Sequence, residues 1–365
     1  VSNPSNELLN YVKAQNLPGM AAVCKTHSQA ARNPRPVGAA AGIAWREGLA
    51  LLKKHGADLN AVWRGYRPLH VLIQEAPHGH HGTPSPVRLD CLKWLLENGA
   101  DPELEGGWPP ARALLTAAFT GVPEYIKVLR DAGAHVDGFV HAALGDAGKI
   151  EKQLKRDAGF ADARTSARGT TALHCCAASR LKTGNQTVVA GLLLDHGANP
   201  NAVCQGWNHE LDATYFAVGS RQTETLELLL ERGADPDTAL AHAVWQKDPA
   251  ECGEIALRHG ADVNRARYAS SCKDGEKPLL NQMIRWGQFA GTFWLLEKGA
   301  SPNIPDPRGW TAVHQAASRG NERLLKAVID AGGDCTRKTK EGETPWDIAS
   351  SERRAALLKR PPRVS

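Results

Sequence analysis

Residues 309–334 read GWTAVHQAASRGNERLLKAVIDAGGD, and this stretch decides the fold. It holds two short helical patterns in succession. The first opens at Thr311 and carries Val313, His314, Ala316 and Ala317. The second places Leu324, Leu325, Val328 and Ile329 at helical spacing. Gly332 then stops the second helix, because glycine enters the left-handed C-cap conformation without the steric penalty other residues meet.

Outward from this stretch the stop recurs. HGADLN begins at His55, NGADPE at Asn98, AGAHVD at Ala132, HGANPN at His196, RGADPD at Arg232, HGADVN at His259, KGASPN at Lys298 and AGGDCT at Ala331. The glycines are Gly56, Gly99, Gly133, Gly197, Gly233, Gly260, Gly299 and Gly332. They lie 27 to 43 residues apart, except for one gap of 64 that a degenerate anchor at Gly159 divides. Leucine-rich amphipathic runs precede them, such as LALLKKHG, CLKWLLENG and TLELLLERG. His, Lys or Arg often fills the last turn, where a cation suits the helix dipole. Asp or Asn and then Pro often follow and turn the chain away. A second, shorter helix opens each full unit, as in RPLHVLIQ, TTALHCCAAS and KPLLNQMIRWG. Self-similarity at this period is the mark of a stacked array.

The T-x-L-H-x-x-A-A openings, followed by V-x-x-L-L-x-x-G-A-D-x-N, resemble the ankyrin repeat, and Gly309 to Gly332 is the best copy in the chain. The resemblance runs from about Leu17 to about Lys359. It implies an all-α solenoid of about ten stacked helix-turn-helix units with short β-hairpin fingers. It also implies that His70, His174 and His314 sit under the fingers and tie backbone turns together. Ala111-Arg112, Tyr215-Phe216, Leu280-Asn281 and Trp346-Asp347 depart from that opening. The resemblance is nearly silent about function, because such folds host many partners. Among bacterial chains of this type it permits a secreted effector or a neutraliser of a toxic enzyme.

Two units are short and pass from anchor to helix with no room for a finger, at FVHAALGD and TALAHAVWQKD. The expected organisation is N-terminal capping helices and a first unit over 1–60, repeats over 61–135, a short unit over 136–161 and repeats over 162–235. A second short unit follows over 236–262, then repeats over 263–334 and a C-terminal cap and tail over 335–365. Enlarged loops are expected at Ser28–Val37 and Ala76–Pro86, and enlarged fingers at Asn208–Leu211 and Ala269–Glu276.

The 365 residues carry 44 Lys and Arg against 39 Asp and Glu, a net +5 too dispersed to imply nucleic acid. Charged residues are 23% and aromatics 6%, values of an ordinary globular chain. No stretch approaches the roughly 18 apolar residues of a membrane helix. Eight cysteines form no C-x-x-C pair, and Cys175-Cys176 are badly placed for a bridge, which reads as a reducing, cytoplasmic setting. The first residue is Val1, and a removed leader remains compatible with that start.

The sequence lacks a P-loop, a G-x-S-x-G elbow and an H-E-x-x-H helix, and no cofactor, metal or catalytic residue is expected. His78, His80 and His81 form the one metal-like cluster, without a Cys or carboxylate to complete it. Asp58, Asp101, Asp235, Asp262 and Asp334 recur with the anchor, so they are read as serving turns. What the repeat does not demand is a set of Trp, Arg and aromatic residues at finger positions. These are Trp63, Arg64, Trp108, Arg168, Trp207, His209, Arg265, Arg267, Tyr268, Arg308 and Trp310. Trp and Arg dominate interface hot spots. The expected function is therefore a non-catalytic, monomeric scaffold that binds another protein bearing an acidic patch, through its concave face of fingers and inner helices. The alternative is a repeat-scaffold enzyme or small-ligand or peptide binder, with a pocket near Trp207–Asp212 or the His78–His81 loop.

Overall fold

The computed structural model describes residues 3–74, 85–165, 168–181, 185–206, 210–265, 277–319 and 322–349. The chain divides into two compact units, 1–198 and 199–365. In the first, six helix pairs follow one another: Pro4–Lys13 with Leu17–Thr26, Pro34–Gly42 with Arg46–Lys54, Pro68–Gln74 with Pro86–Glu97, Ala113–Thr120 with Pro123–Asp131, Gly138–Leu144 with Ala147–Arg156, and Ala172–Ala178 with Gln186–Asp195. In the second there are four, Ala213–Ser220 with Thr223–Glu231, Pro236–Ala243 with Ala250–Arg258, Leu279–Trp286 with Phe289–Glu297, and Ala312–Arg319 with Glu322–Asp330. The short helix Pro345–Ile348 closes the series.

The anchors behave as their chemistry requires. All eight glycines have φ between +85° and +98°. At each stop the amide after the glycine reaches back five residues, as Ala57 N does to Leu52 O at 3.0 Å and Ala234 N to Leu229 O at 2.9 Å. This is the Schellman closure, and it explains why alanine follows the glycine and leucine precedes it on the buried face. Gly159 differs: it lies inside a 3-10 turn, Ala158–Asp162, opened by Asp157, whose side chain accepts from Gly159 N at 3.1 Å.

Within each unit, the first helices of most successive pairs pack on one another, and so do many of the second helices. Every residue of Ala113–Thr120 and of Ala172–Ala178 is buried. These inner helices read as small residues around one or two leucines because neighbouring helices close in on every side. A polar ladder joins the units along their anchors. Asn60 donates to Gly99 O at 2.9 Å and accepts from Asp101 N at 2.8 Å. Asn201 repeats this with Gly233 O and Asp235 N, and Asn303 with Gly332 O and Asp334 N. At two anchors where an acid replaces Asn, Glu103 accepts from His135 N and Asp237 from Asp262 N, both at 2.8 Å. The recurring Asp side chains cap their own turns, as Asp58 does for Asn60 N and Asp101 for Glu103 N.

The fingers correct the expectation from sequence. Among the described residues one β-hairpin forms, Val203–Gln205 with Glu210–Asp212. Elsewhere the chain makes single bridges, Trp63 with Tyr66, Gly106 with Ala111 and Arg164 with Thr171. The reason is length: a turn such as Trp63-Arg64-Gly65-Tyr66 exchanges one pair of backbone bonds and then enters a helix. The segment Ser28–Val37 is likewise no loop, since it forms a 3-10 turn, Ser28–Arg32, and the start of the helix Pro34–Gly42.

Candidate recognition surface

The histidines below the fingers are structural. His70 Nε2 donates to Ala111 O at 2.8 Å, under the next finger, and burial pushes its pKa down to about 4. His174 and His314 accept at Nδ1 from Thr171 N and Thr311 N, both at 3.1 Å. Asn281 stands in the place of that His in its helix and does the same work. Asn281 Nδ2 donates to Trp310 O at 2.8 Å. Arg112 bridges Glu103 at 2.8 Å and Asp137 at 2.5 Å.

At the first finger, Trp63 and Tyr66 exchange bonds of 2.9 and 3.0 Å across Arg64 and Gly65, whose φ values are +51° and +82°. Positive φ at both central residues gives the turn that matches the twist of a hairpin. Gly107 N donates to Gly65 O at 3.0 Å, so the next finger props this one. Trp63 is 39% exposed. The Arg64 guanidinium lies 4.7 Å from its ring centroid and that of Arg35 lies 5.6 Å away. Val62 beside it is also exposed. The arrangement is an open indole between two cations, suited to an apolar group flanked by carboxylates.

The other finger residues serve their own fold more. Trp108 is half-buried, its amide donating to Gln74 Oε1 at 2.9 Å and its carbonyl accepting from the same side chain. Arg265 reaches the buried carboxylate of Asp237 at 3.3 Å. Arg308 lies 3.3 Å from buried Asp306 and 4.8 Å from the half-buried Trp310 ring, while Asp306 also accepts from Arg308 N and Trp310 N. Arg168 is half-buried in its turn. Trp207, His209, Arg267, Tyr268 and the His78–His81 cluster lie outside the described residues. The structure thus joins Trp63 to Arg64 and Arg308 to Trp310. Arg35, within NPRPV, escaped the residue-by-residue reading, because its stacking on Trp63 crosses 28 residues of sequence.

The rival pocket has two described acids: Glu210, paired in the hairpin with Gln205, and Asp212. Asp212 caps the helix Ala213–Ser220, accepting from Thr214 Oγ1 at 2.7 Å and Tyr215 N at 2.9 Å, with His242 Nε2 3.5 Å away. Burial alone would raise its pKa, yet His242 and these hydrogen bonds hold it down to about 2. Its Oδ1 takes all three of these contacts, so the side chain serves as a helix cap within the fold. Among the described residues no group of three or more His, Cys, Asp or Glu converges as a metal site, and no helix is long and apolar enough to cross a membrane.

The ankyrin-repeat family model matches residues 88–238 and 280–359, and the chain belongs to that family. An ankyrin repeat-containing protein of Schizosaccharomyces pombe is 44% identical over 50 residues, covering 14% of this chain and 24% of that protein. The B-cell lymphoma 3 protein homolog of Mus musculus is 26% identical over 200 residues, covering 52% of this chain and 35% of that protein. The chain therefore spans about a quarter to a third of the length of these curated relatives. The human ASB11 ankyrin repeat domain aligns with a TM-score of 0.46 at 22% identity, over 62% of this chain and all of that one.

Proposed function

We propose that this chain is a non-catalytic, monomeric recognition scaffold that holds another protein along its finger edge, in the cytoplasm. The observation that carries the reading is the exposed Val62-Trp63-Arg64 finger with Arg35 stacked on the same indole. Such a cluster offers rigid apolar area beside two planar donor forks, and it complements an acidic surface with an apolar residue in its midst. Inner helices such as Ala113–Thr120 and Ala172–Ala178 are wholly buried, so the proposed docking relies mainly on the fingers. Arg168, Trp207, His209, Arg267 and Tyr268 extend the proposed edge. The short units 136–161 and 236–262 interrupt the row and give it selectivity. Affinity capture with the intact chain, beside Trp63→Ala plus Arg64→Ala, tests the assignment. The double variant is expected to lose the partner while keeping its denaturation midpoint; equal recovery by both rejects the site.

A further inference from the structure

Exposed apolar surface marks a second place, on the opposite edge from the fingers of the unit 199–365. Of eight large apolar side chains exposed among the described residues, only Val62 and Trp63 belong to a finger. Leu17, Ile43, Val87, Val188, Trp286 and Phe289 lie at the turn within a helix pair or in the first turn after it. Scattered single residues of this kind are ordinary surface. Trp286 and Phe289 are different, because they flank one turn and are 63% and 42% exposed.

The helix that follows, Phe289–Glu297, reads FAGTFWLLE and carries no charge before its last residue. Its buried side is Gly291, Thr292, Trp294 and Leu295, with the Trp294 indole packed against Gly253, where a Cβ would lie 2.5 Å from the ring. Phe289, Phe293 and Leu296, spaced i, i+4 and i+7, share another face and stay exposed or half-buried. An outer helix ordinarily presents polar residues there. The neighbouring helix Glu322–Asp330 does so with Glu322, Arg323 and Lys326. Three arginines rim the stripe: Arg285 one residue before Trp286, Arg319 at the end of the next inner helix, and Arg323, whose guanidinium lies 5.0 Å from the Phe293 ring centroid. Glu322 is their acidic neighbour in sequence, yet none of the three is in an ion pair among the described residues.

We propose that this stripe is a docking groove for an acidic amphipathic helix of another protein. The apolar residues run about 10 Å along the helix axis, a length that matches two turns of a partner helix laid alongside. Cations at the turn end of the stripe, with Arg323 beside Phe293, select carboxylates on that helix. A bilayer would be met by the turn alone and would leave Phe293 and Leu296 unused.

The proposal is independent of the finger assignment, and its test separates the two. The probe is a fluorescently labelled helical peptide with Leu at i, i+4 and i+7 and Glu elsewhere, titrated into the full chain and followed by anisotropy. Saturable binding is expected, weakened about tenfold or more by Trp286→Ala plus Phe289→Ser and by Arg285→Glu plus Arg323→Glu. Trp63→Ala plus Arg64→Ala should leave it unchanged. The substituted side chains are exposed or half-buried, and circular dichroism melts matching the parent verify folding. Four results would overturn the proposal: no saturable binding, equal binding of the same peptide with Lys for Glu, sedimentation with phosphatidylserine vesicles that is lost in Trp286→Ala, or a dimer that dissociates on Phe289→Ser.

Discussion

His70 titrates as a stability sensor, and the structure sets both the sign and the size of its effect. Its ring is fully buried, Nε2 is committed to Ala111 O, and Nδ1 has no hydrogen-bond partner among the described residues. The Gly106 backbone presses on that nitrogen, since a Cβ there would lie 2.9 Å from it. A proton added at Nδ1 would place an unsatisfied donor and a charge in the core, beside the field of Arg67. Burial therefore lowers the pKa from 6.5 to about 4 in the folded chain. The unfolded chain binds the extra proton between those values, so the contribution is complete above 6.5 and is lost as pH falls toward about 4. By about pH 4.5 the loss is about 2.5 kcal/mol. The test is urea denaturation at about pH 7.5 and about pH 4.5, on the parent and on His70→Asn. Asparagine retains a donor for Ala111 O, as Asn281 does for Trp310 O, and does not titrate. Other groups cancel in the difference between the two proteins. The parent should lose about 2.5 kcal/mol more than the variant. An equal loss in both would refute the account of a buried neutral imidazole.

Three further outcomes test the fold. Asn303→Ala strands Gly332 O and Asp334 N, and should cost about 1–2 kcal/mol by denaturant titration; Asn303→Asp keeps the acceptor and should cost less, and no change in either would remove the ladder from the account of stability. Leu229→Ala truncates a fully buried side chain while leaving the backbone carbonyl that closes the Gly233 stop, and should cost about 2–5 kcal/mol, so a denaturation midpoint equal to the parent's would contradict the helix phase. Burial pushes the thiols of Cys91 and Cys176 up to about 12 and that of Cys252 to about 11, whereas Cys335 is half-buried. Iodoacetamide labelling mapped by mass spectrometry should therefore modify Cys335 well before those three, and the reverse order would show the core open.

Much of the fold was legible because the repeat writes local physics into local sequence. A Gly-Ala after a leucine run needs only its own helix to become a Schellman stop, and eight such stops appear where the hexamers recur. Gly159 misled because a glycine near a helix end was counted without the Leu and Ala that close the motif. The fingers were overdrawn because strand length depends on how many residues pair across the turn, which the repeat pattern does not encode. The candidate surface was harder to read. Trp63 and Arg64 are adjacent, but the third member of their stack, Arg35, comes from the preceding helix pair. Trp286 and Phe289 sat within a run that looked like ordinary core, and only the phase of the outer helix reveals that Phe293 and Leu296 share their exposed side.

Burial also ranks the finger arginines against one another. Arg308 is half-exposed, but its carboxylate partner Asp306 is only 1% exposed and organises the turn by accepting from two backbone amides. Arg265 stands in the same relation to Asp237, which also receives Asp262 N from the next pair. A partner that drew either guanidinium away would weaken the pairing of a buried carboxylate, a cost that offsets what the new contact contributes. Arg64 carries no such obligation, since its neighbour is the Trp63 face, which remains available when a carboxylate binds the outer edge of the fork. On the proposed reading, recognition falls to cations whose departure leaves no charge stranded. That criterion favours Arg64 at the finger edge, and Arg285 and Arg319 at the turn edge, over arginines that hold buried acids in place.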